Sequence, residues 1–118
     1  MSNYTRGASF EREICKHLRV AGYLAARSAG SHGIGDVIAL TPLRYNVNAD
    51  TYDMQPSLLI QAKIGGVISK AECQELIDAS TRTGATPLIA YRPTERGKTR
   101  IGMAFKTWDG KRWMIWEP

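Results

Sequence analysis

Apolar side chains recur at helical spacing in two segments of the chain. In the first segment, residues 9–21, one face carries Phe10, Ile14, Leu18 and Ala21. The second segment begins at Ser69, and Glu72 three residues later completes the signature of a capping box. Its apolar stripe carries Cys73, Leu76, Ile77 and Ser80. Gly22 and Gly84 follow the two segments as C-terminal stops, so the pattern predicts two amphipathic helices.

Short apolar runs bounded by turn residues predict strands elsewhere in the chain. The runs are YLAARSAG at 23–30, GDVIALTPL at 35–43, LLIQAKI at 58–64 and TPLIAYRP at 86–93. Residues 101–118 predict a final hairpin around Asp109-Gly110, a strong turn signal. Residues 44–57 are polar and rich in turn formers, which predicts a long hairpin connection. The resulting order of elements predicts an α/β fold with a mixed central β-sheet flanked by helices.

Length and composition indicate one globular domain over residues 1–118. A chain of 118 residues that is 43% hydrophobic and 23% charged suits a single core. No apolar run is long enough to span a bilayer, and the N-terminus lacks the apolar core of a signal peptide. Cys15 and Cys73 have no paired spacing, so they do not indicate a zinc site and they fit a reducing compartment. We therefore expect a cytoplasmic protein.

The net charge of the chain is positive, which favours a negatively charged partner. Sixteen Lys and Arg against eleven Asp and Glu give a net charge of +5, and ten of the sixteen are arginine. The arginine guanidinium presents a fork of donors that matches phosphate oxygens. A small basic domain of this kind often contacts nucleic acid, although charge alone is a weak signal.

The strand at 58–64 carries two polar side chains within an apolar run. One face of the strand carries Leu58, Ile60, Ala62 and Ile64. The other face carries Leu59, Gln61 and Lys63, because alternate side chains of a strand point to opposite faces. Taken alone, this alternation is typical of a half-exposed strand with a solvated outer face.

Two carboxylates elsewhere in the sequence favour a second interpretation of this strand, in which its polar side chains belong to a polar site. Glu11 lies at the margin of the apolar stripe of the first helix, where it is either solvated on the rim or paired toward the interior. Asp36 directly follows the glycine-rich loop GSHGIG and begins the apolar run DVIAL. It is either an ordinary turn residue or a carboxylate held at the mouth of that strand.

Glu11, Asp36, Gln61 and Lys63 can converge on one point of such a fold. Oxygen donors of this kind suit Mg²⁺, which prefers carboxylates, water and substrate phosphate. Such a metal can activate water and polarise a phosphodiester. A lysine beside it can orient or deprotonate the attacking water, or offset charge in the transition state. Together, these residues indicate the chemistry of a metal-dependent nuclease.

The arrangement of Asp36 followed by Gln61-x-Lys63 resembles the PD-(D/E)XK nuclease superfamily. More narrowly, the chain resembles the archaeal-type Holliday junction resolvases, including their phage relatives. The segments that carry this resemblance are RGASFEREI at 6–14, GYLAARSAGS at 22–31, Asp36 itself and LLIQAK at 58–63. The resemblance extends over roughly residues 1–90, and the strand PLIAYR and the aromatic, basic tail match more loosely.

The resemblance implies a restriction-endonuclease-like fold and a homodimer that binds four-way DNA junctions and cuts two opposed strands symmetrically. It implies Mg²⁺ as the cofactor, with Mn²⁺ as a substitute, and the metal ligands would be Asp36, Gln61 and, directly or indirectly, Glu11. The catalytic residues that it implies are Glu11, Asp36, Gln61, Lys63 and Ser31. The DNA-binding residues that it implies are Arg6, Arg12, Arg27 and Ser31.

Two departures from the family pattern leave other functions open. The family has Glu where this chain has Gln61, and the segment 43–57 is longer than the usual connection. One alternative is an endonuclease of the same superfamily that acts on ordinary duplex or damaged DNA. Another is a non-catalytic DNA-binding module whose site has decayed at Gln61. The presence of Glu11, Asp36 and Lys63 argues against decay.

Overall fold

The computed structural model describes residues 3–28, 35–93 and 102–118, with the side chains of the first helix described from Gly7 onward. This part of the chain contains two helices and eight strands. In chain order they are α1 (Asn3–Val20), β1 (Leu24–Arg27), β2 (Val37–Leu40), β3 (Arg44–Asn46), β4 (Thr51–Asp53), β5 (Leu58–Ala62), α2 (Lys70–Thr83), β6 (Thr86–Tyr91), β7 (Ala104–Trp108) and β8 (Trp113–Trp116). Neither helix is long and apolar enough, over these residues, to cross a membrane.

Six of the strands form one sheet in the order β1-β2-β5-β6-β7-β8. β5 and β6 are parallel, because α2 carries the chain back between them, and the other neighbours are antiparallel. The predicted mixed sheet with helices on its flanks is therefore confirmed. The final hairpin is also present, and its turn is held by the Asp109 carboxylate, which accepts hydrogen bonds from the amides of Lys111 and Arg112 at 2.7 and 2.8 Å.

The segment predicted as a long connection contains a hairpin of its own. β3 and β4 pair in a separate two-stranded sheet, where Tyr45 lies opposite Tyr52 with ring centroids 5.3 Å apart. The Asn46 side chain closes the turn by accepting hydrogen bonds from the amides two and three residues later. Periodicity could not reveal these strands, because their side chains are largely exposed and show no buried face.

The sheet separates two apolar clusters. The cluster on the α1 side includes Phe10, Ile14, Leu18, Val37, Leu58, Ile60 and Leu88. The cluster on the α2 side includes Leu59, Leu76, Ala79 and Ile89. The neighbours Leu59 and Ile60 thus enter different clusters, and Ala62 and Ile64 pack against the cluster on the α1 side. This confirms the alternation predicted for β5.

The sequence predicted both ends of α2 correctly, but it did not predict the start of α1. α2 begins after Ser69, whose hydroxyl accepts a hydrogen bond from the Glu72 amide at 3.1 Å, and it ends at Gly84 in the left-handed conformation (φ 75°). Both boundaries were predicted. α1 begins at Asn3, before the predicted start at Ser9. The residues before Ala8 contribute no apolar periodicity, so the pattern could not show that the helix extends through them.

Gly35 provides a test of the packing that places the start of β2. Its φ of +89° lies in the left-handed region, and a Cβ there would stand 2.5 Å from Leu59 Cδ1. We expect Gly35→Ala to lower the free energy of unfolding by about 1–3 kcal/mol, because the substitution adds both backbone strain and a clash with a buried leucine. Denaturant unfolding measures this change.

Gly65→Ala is the matched control for this measurement. A Cβ at Gly65 meets nothing within 4 Å, and its φ lies outside the left-handed region. Equal losses of stability in the two variants would contradict the role assigned to Gly35.

Candidate active site

Several strand ends meet at one end of the six-stranded sheet. β1 ends at Arg27, β2 begins at Val37 and β5 ends at Ala62. Arg27 pairs with Val37, and Val37 pairs with Ile60 on the next strand. Asp36, which precedes β2, and Lys63, which follows β5, therefore lie at the same end of the sheet.

Asp36 is bonded to the residues on both sides of Gln61. Its amide donates to the Ile60 carbonyl at 2.7 Å, and its Oδ2 accepts a hydrogen bond from the Ala62 amide at 2.8 Å. Its own carbonyl accepts from the Ser28 amide at 2.9 Å. The half-buried carboxylate is thus fixed in direction, and because a carboxylate can accept several hydrogen bonds, capacity remains for a further partner.

Gln61 and Lys63 project toward the α2 side of the sheet. They alternate with Ile60 and Ala62, which face α1, and they follow Leu59, which packs beneath α2. Both side chains are half-buried. Lys63 Nζ lies 2.6 Å from Glu72 Oε2, which agrees with this direction. The polar face of β5 is therefore partly covered by the start of α2 and is not fully solvated.

Glu72 lies beside the candidate site through its contact with Lys63, whereas the sequence predicts only a helix-capping role for it. The cap is present, because the Ser69 hydroxyl donates to Glu72 Oε1 at 3.0 Å. The ion pair with Lys63 is the main reason that the pKa of Glu72 lies below its ordinary value, and the bonds to Ser69 act in the same direction. The capping signature marked the position of Glu72 on the helix, but no sequence spacing could show that β5 brings a lysine to it.

A second ion pair lies on the α1 side of the same sheet end. Arg27 Nε donates to Glu11 Oε1 at 3.1 Å, and the Glu11 side chain is only 19% exposed. Arg27 follows the buried Ala25 by two residues, so both face α1. Of the two possibilities for Glu11, the structure shows the paired one, and the partner is a residue expected to bind DNA.

The remaining residues implied by the family resemblance are more peripheral or lie outside the described part of the chain. Arg12 is exposed on α1. Ser31 and the side chain of Arg6 fall outside the described residues. Among residues 3–28, 35–93 and 102–118, no three His, Cys, Asp or Glu side chains come together as a metal cage.

Two comparisons with known proteins found a matching family and a similar fold. The model of the archaeal Holliday junction resolvase family, Hjc, matches residues 2–109. A solved structure of Archaeoglobus fulgidus Hjc, described as a Holliday junction resolvase from an archaeal hyperthermophile, is similar with a TM-score of 0.60 and 23% identity. The match covers 85% of this chain and 70% of that chain. It shows the predicted restriction-endonuclease-like fold. No curated protein sequence matches the chain significantly.

The family match extends from α1 through β7 and thus includes every element that contributes to the strand-end site. The chain belongs to the archaeal Holliday junction resolvase family and is a junction-resolving nuclease.

Proposed function

We propose that this chain works as a homodimeric, Mg²⁺-dependent endonuclease that makes paired, symmetric cuts in four-way DNA junctions in the cytoplasm. The observation that carries the proposal is the junction of β2 and β5, where the Asp36 carboxylate is fixed by the amide of Ala62, the residue between Gln61 and Lys63. A carboxylate, an amide oxygen and an ammonium group held on adjacent strands can serve both a cation and a phosphodiester.

The donors at this strand end fit Mg²⁺. Mg²⁺ is commonly held by only one or two carboxylates, with water and substrate phosphate completing the coordination. Asp36 would hold the ion through its carboxylate and Gln61 through its amide oxygen, and Glu11 would contribute directly or through water. Mn²⁺ prefers the same donors and is expected to substitute. The bound ion would supply a positive charge that favours ionisation of water and stabilises a developing oxyanion.

The side chains of the protein orient the reacting groups. The hydrogen bond from the Ala62 amide holds the Asp36 carboxylate in one direction. Lys63 places a positive charge next to the scissile phosphate and orients the attacking water. Arg27 contacts the scissile phosphate, Arg12 supplies positive charge nearby, and Arg6 and Ser31 are proposed as further DNA contacts. Ser31 is also proposed to act at the scissile phosphate.

The homodimer follows from the number of sites. Two symmetric cuts in one junction require two strand-end sites related by a two-fold axis, and a two-fold homodimer provides them. The described surface exposes apolar side chains that a partner could cover, including Leu24, Ile38 and Leu40 on β1 and β2. We therefore expect a mass of twice 13.1 kDa in sedimentation equilibrium.

The deciding experiment compares a labelled four-way junction with linear duplexes of the same arm sequences, in Mg²⁺ and in EDTA. Paired cuts in opposed strands of the junction, dependent on Mg²⁺ and weak in the duplex, support the proposal. Equal cutting of both substrates would indicate a nuclease of broader specificity. Binding without any cut would indicate a non-catalytic module.

Removal of the Asp36 charge tests the proposed metal site. We predict that Asp36→Asn abolishes cleavage, because an amide keeps the shape of the side chain but lacks the anionic oxygen that Mg²⁺ requires. Junction binding should be kept or improved, since a negative charge near phosphate is lost. Asp78→Asn, the same change at an exposed position of α2, should cut normally. Wild-type rates in Asp36→Asn would exclude this site.

Gln61 tests how tightly the metal is held. An amide oxygen can bind Mg²⁺ but brings no charge, so we expect cleavage by the wild type to require a relatively high metal concentration. Gln61→Glu should lower the midpoint of the Mg²⁺ titration roughly ten- to a hundredfold, as expected for one added charge contact in a partly dry cleft.

The exposed Gln55, which precedes β5 at the opposite end of the sheet, provides the matched control as Gln55→Glu. If both variants keep the wild-type midpoint, Gln61 is not a direct ligand. Gln61→Ala then shows whether the amide acts through a bridging water. Loss of the side chain impairs cleavage only if the amide coordinates the metal or bridges to it through water.

Arg27 tests the proposed contact with the scissile phosphate. We predict that Arg27→Ala strongly lowers cleavage, because it removes a phosphate contact and leaves the half-buried Glu11 without its guanidinium. Junction affinity should fall only modestly, since binding is spread over many phosphates, and it should weaken steeply with salt. Arg82→Ala removes the same charge at the far end of α2 and should leave the cleavage rate unchanged. Normal cutting by Arg27→Ala would refute the assignment.

A further inference from the structure

We propose that Glu72 is a positioning residue for the cleavage reaction, which holds the ammonium group of Lys63 at the strand end where Asp36 and Gln61 lie. The family resemblance assigns no role to Glu72. The proposal rests on the proposed function of Lys63, and it concerns how this chain keeps that lysine in place.

The backbone of Lys63 is anchored at the end of β5. Its amide donates to the Ala90 carbonyl on β6 at 2.9 Å, and its carbonyl accepts from the Gly66 amide at 2.7 Å. The turn that follows is held in addition by Lys106, whose Nζ donates to the Gly66 carbonyl at 2.9 Å. The position from which the Lys63 side chain extends is therefore set by the sheet.

Glu72 is anchored independently of Lys63. It lies in the first turn of α2, where its amide and its Oε1 are both bonded to the Ser69 hydroxyl, at 3.1 and 3.0 Å. This leaves Oε2 for Lys63 Nζ, at 2.6 Å. The lowered pKa of Glu72 agrees with a carboxylate that stays ionised in this position.

Anchoring on both sides distinguishes this contact from an ordinary surface ion pair. Exposed pairs contribute little because two long, mobile side chains must be ordered to form them. Here the two backbones and one end of the Glu72 carboxylate are already held, and the side chains of Lys63 and Glu72 are 27% and 40% exposed. Only the side chain of Lys63 remains free to move, and a catalytic ammonium group must be held in one position to act.

The amide at position 61 explains why Lys63 needs an anion from α2. A carboxylate at position 61 would lie two residues away on the same face of β5 and could attract the ammonium directly. Gln61 carries no charge, and the Asp36 carboxylate is turned toward the Ala62 amide. Glu72 therefore supplies to Lys63 the negative charge that β5 itself lacks.

The Glu72→Gln variant isolates the ion pair, because glutamine can also complete a capping box with Ser69. We expect single-turnover cleavage at saturating junction and Mg²⁺ to fall about tenfold, the lower range for loss of a charge-assisted hydrogen bond. Junction affinity, the Mg²⁺ midpoint and the unfolding temperature should remain those of the wild type. Glu72→Asp, which restores a carboxylate on a shorter side chain, should recover part of the rate.

Glu75→Gln is the matched control. Glu75 is exposed on the same helix, three residues after Glu72, so the substitution changes the net charge near DNA equally. It should leave the cleavage rate unchanged. An equal loss of rate in Glu75→Gln would overturn the proposal, because the effect would then be a general one of charge.

A double-mutant comparison separates a positioning role from a structural one. If Glu72 acts through Lys63, the variant Lys63→Ala/Glu72→Gln cuts no more slowly than Lys63→Ala, whereas independent effects would multiply. Wild-type cleavage by Glu72→Gln would overturn the positioning role. A shifted Mg²⁺ midpoint with full rate at saturating metal would also overturn it, since Glu72 would then act on the metal.

The same comparison distinguishes failure of this inference from failure of the proposed function. Slowed cleavage by Lys63→Ala together with normal cleavage by Glu72→Gln refutes the role of Glu72 alone. Normal cleavage by Lys63→Ala refutes the role of the lysine and, with it, the positioning role that depends on it.

Discussion

The bonds from Asp36 to β5 are the constraint on which the rest of the candidate site depends. The Asp36 amide and carboxylate bind the main chain of Ile60 and Ala62, so the start of β2 is tied to both neighbours of Gln61. β5 lies between β2 and β6 in the interior of the sheet, and its position is set by ladders on both edges. Asp36 is fixed against this strand. Because alternate side chains of a strand point to opposite faces, each polar side chain at the strand end then faces either α1 or α2.

The two helices then contribute one carboxylate each, from opposite sides of the sheet. Glu11 of α1 reaches Arg27 at the end of β1, and Glu72 of α2 reaches Lys63 after the end of β5. Partly buried charges require such partners, because removal from water is costly for an unpaired ion. Pairs this exposed add only about 0–1 kcal/mol to stability, so their larger effect is on the direction of the two cationic side chains.

The β3-β4 hairpin is separated from the candidate site by the length of the sheet. β2 runs from Val37, next to Asp36, to Leu40 at the opposite end, and the chain enters β3 only after that point. The β3-β4 hairpin pairs with itself and exposes Tyr45 and Tyr52. The segment 43–57 therefore lies away from the strand ends that form the candidate site.

Features that depend on neighbours within one helix or strand could be predicted from the sequence. The alternation of β5 predicted that Gln61 and Lys63 share a face, and Ser69 and Gly84 marked the ends of α2. Both patterns arise from the fixed geometry of a strand or a helix, so a local reading is sufficient. The hairpin at 44–53 was the exception, since exposed strands leave no hydrophobic period to detect.

The partners of the charged residues, in contrast, depend on how the elements pack together. Arg27 pairs with Glu11, sixteen residues before it, and the Asp36 carboxylate binds an amide twenty-six residues later. Lys63 pairs with a glutamate on the far side of a turn. No periodicity relates residues on different elements, because their distance depends on how the sheet and the helices pack. The sequence could therefore propose the residue types of the candidate site, but it could not show the contacts between them.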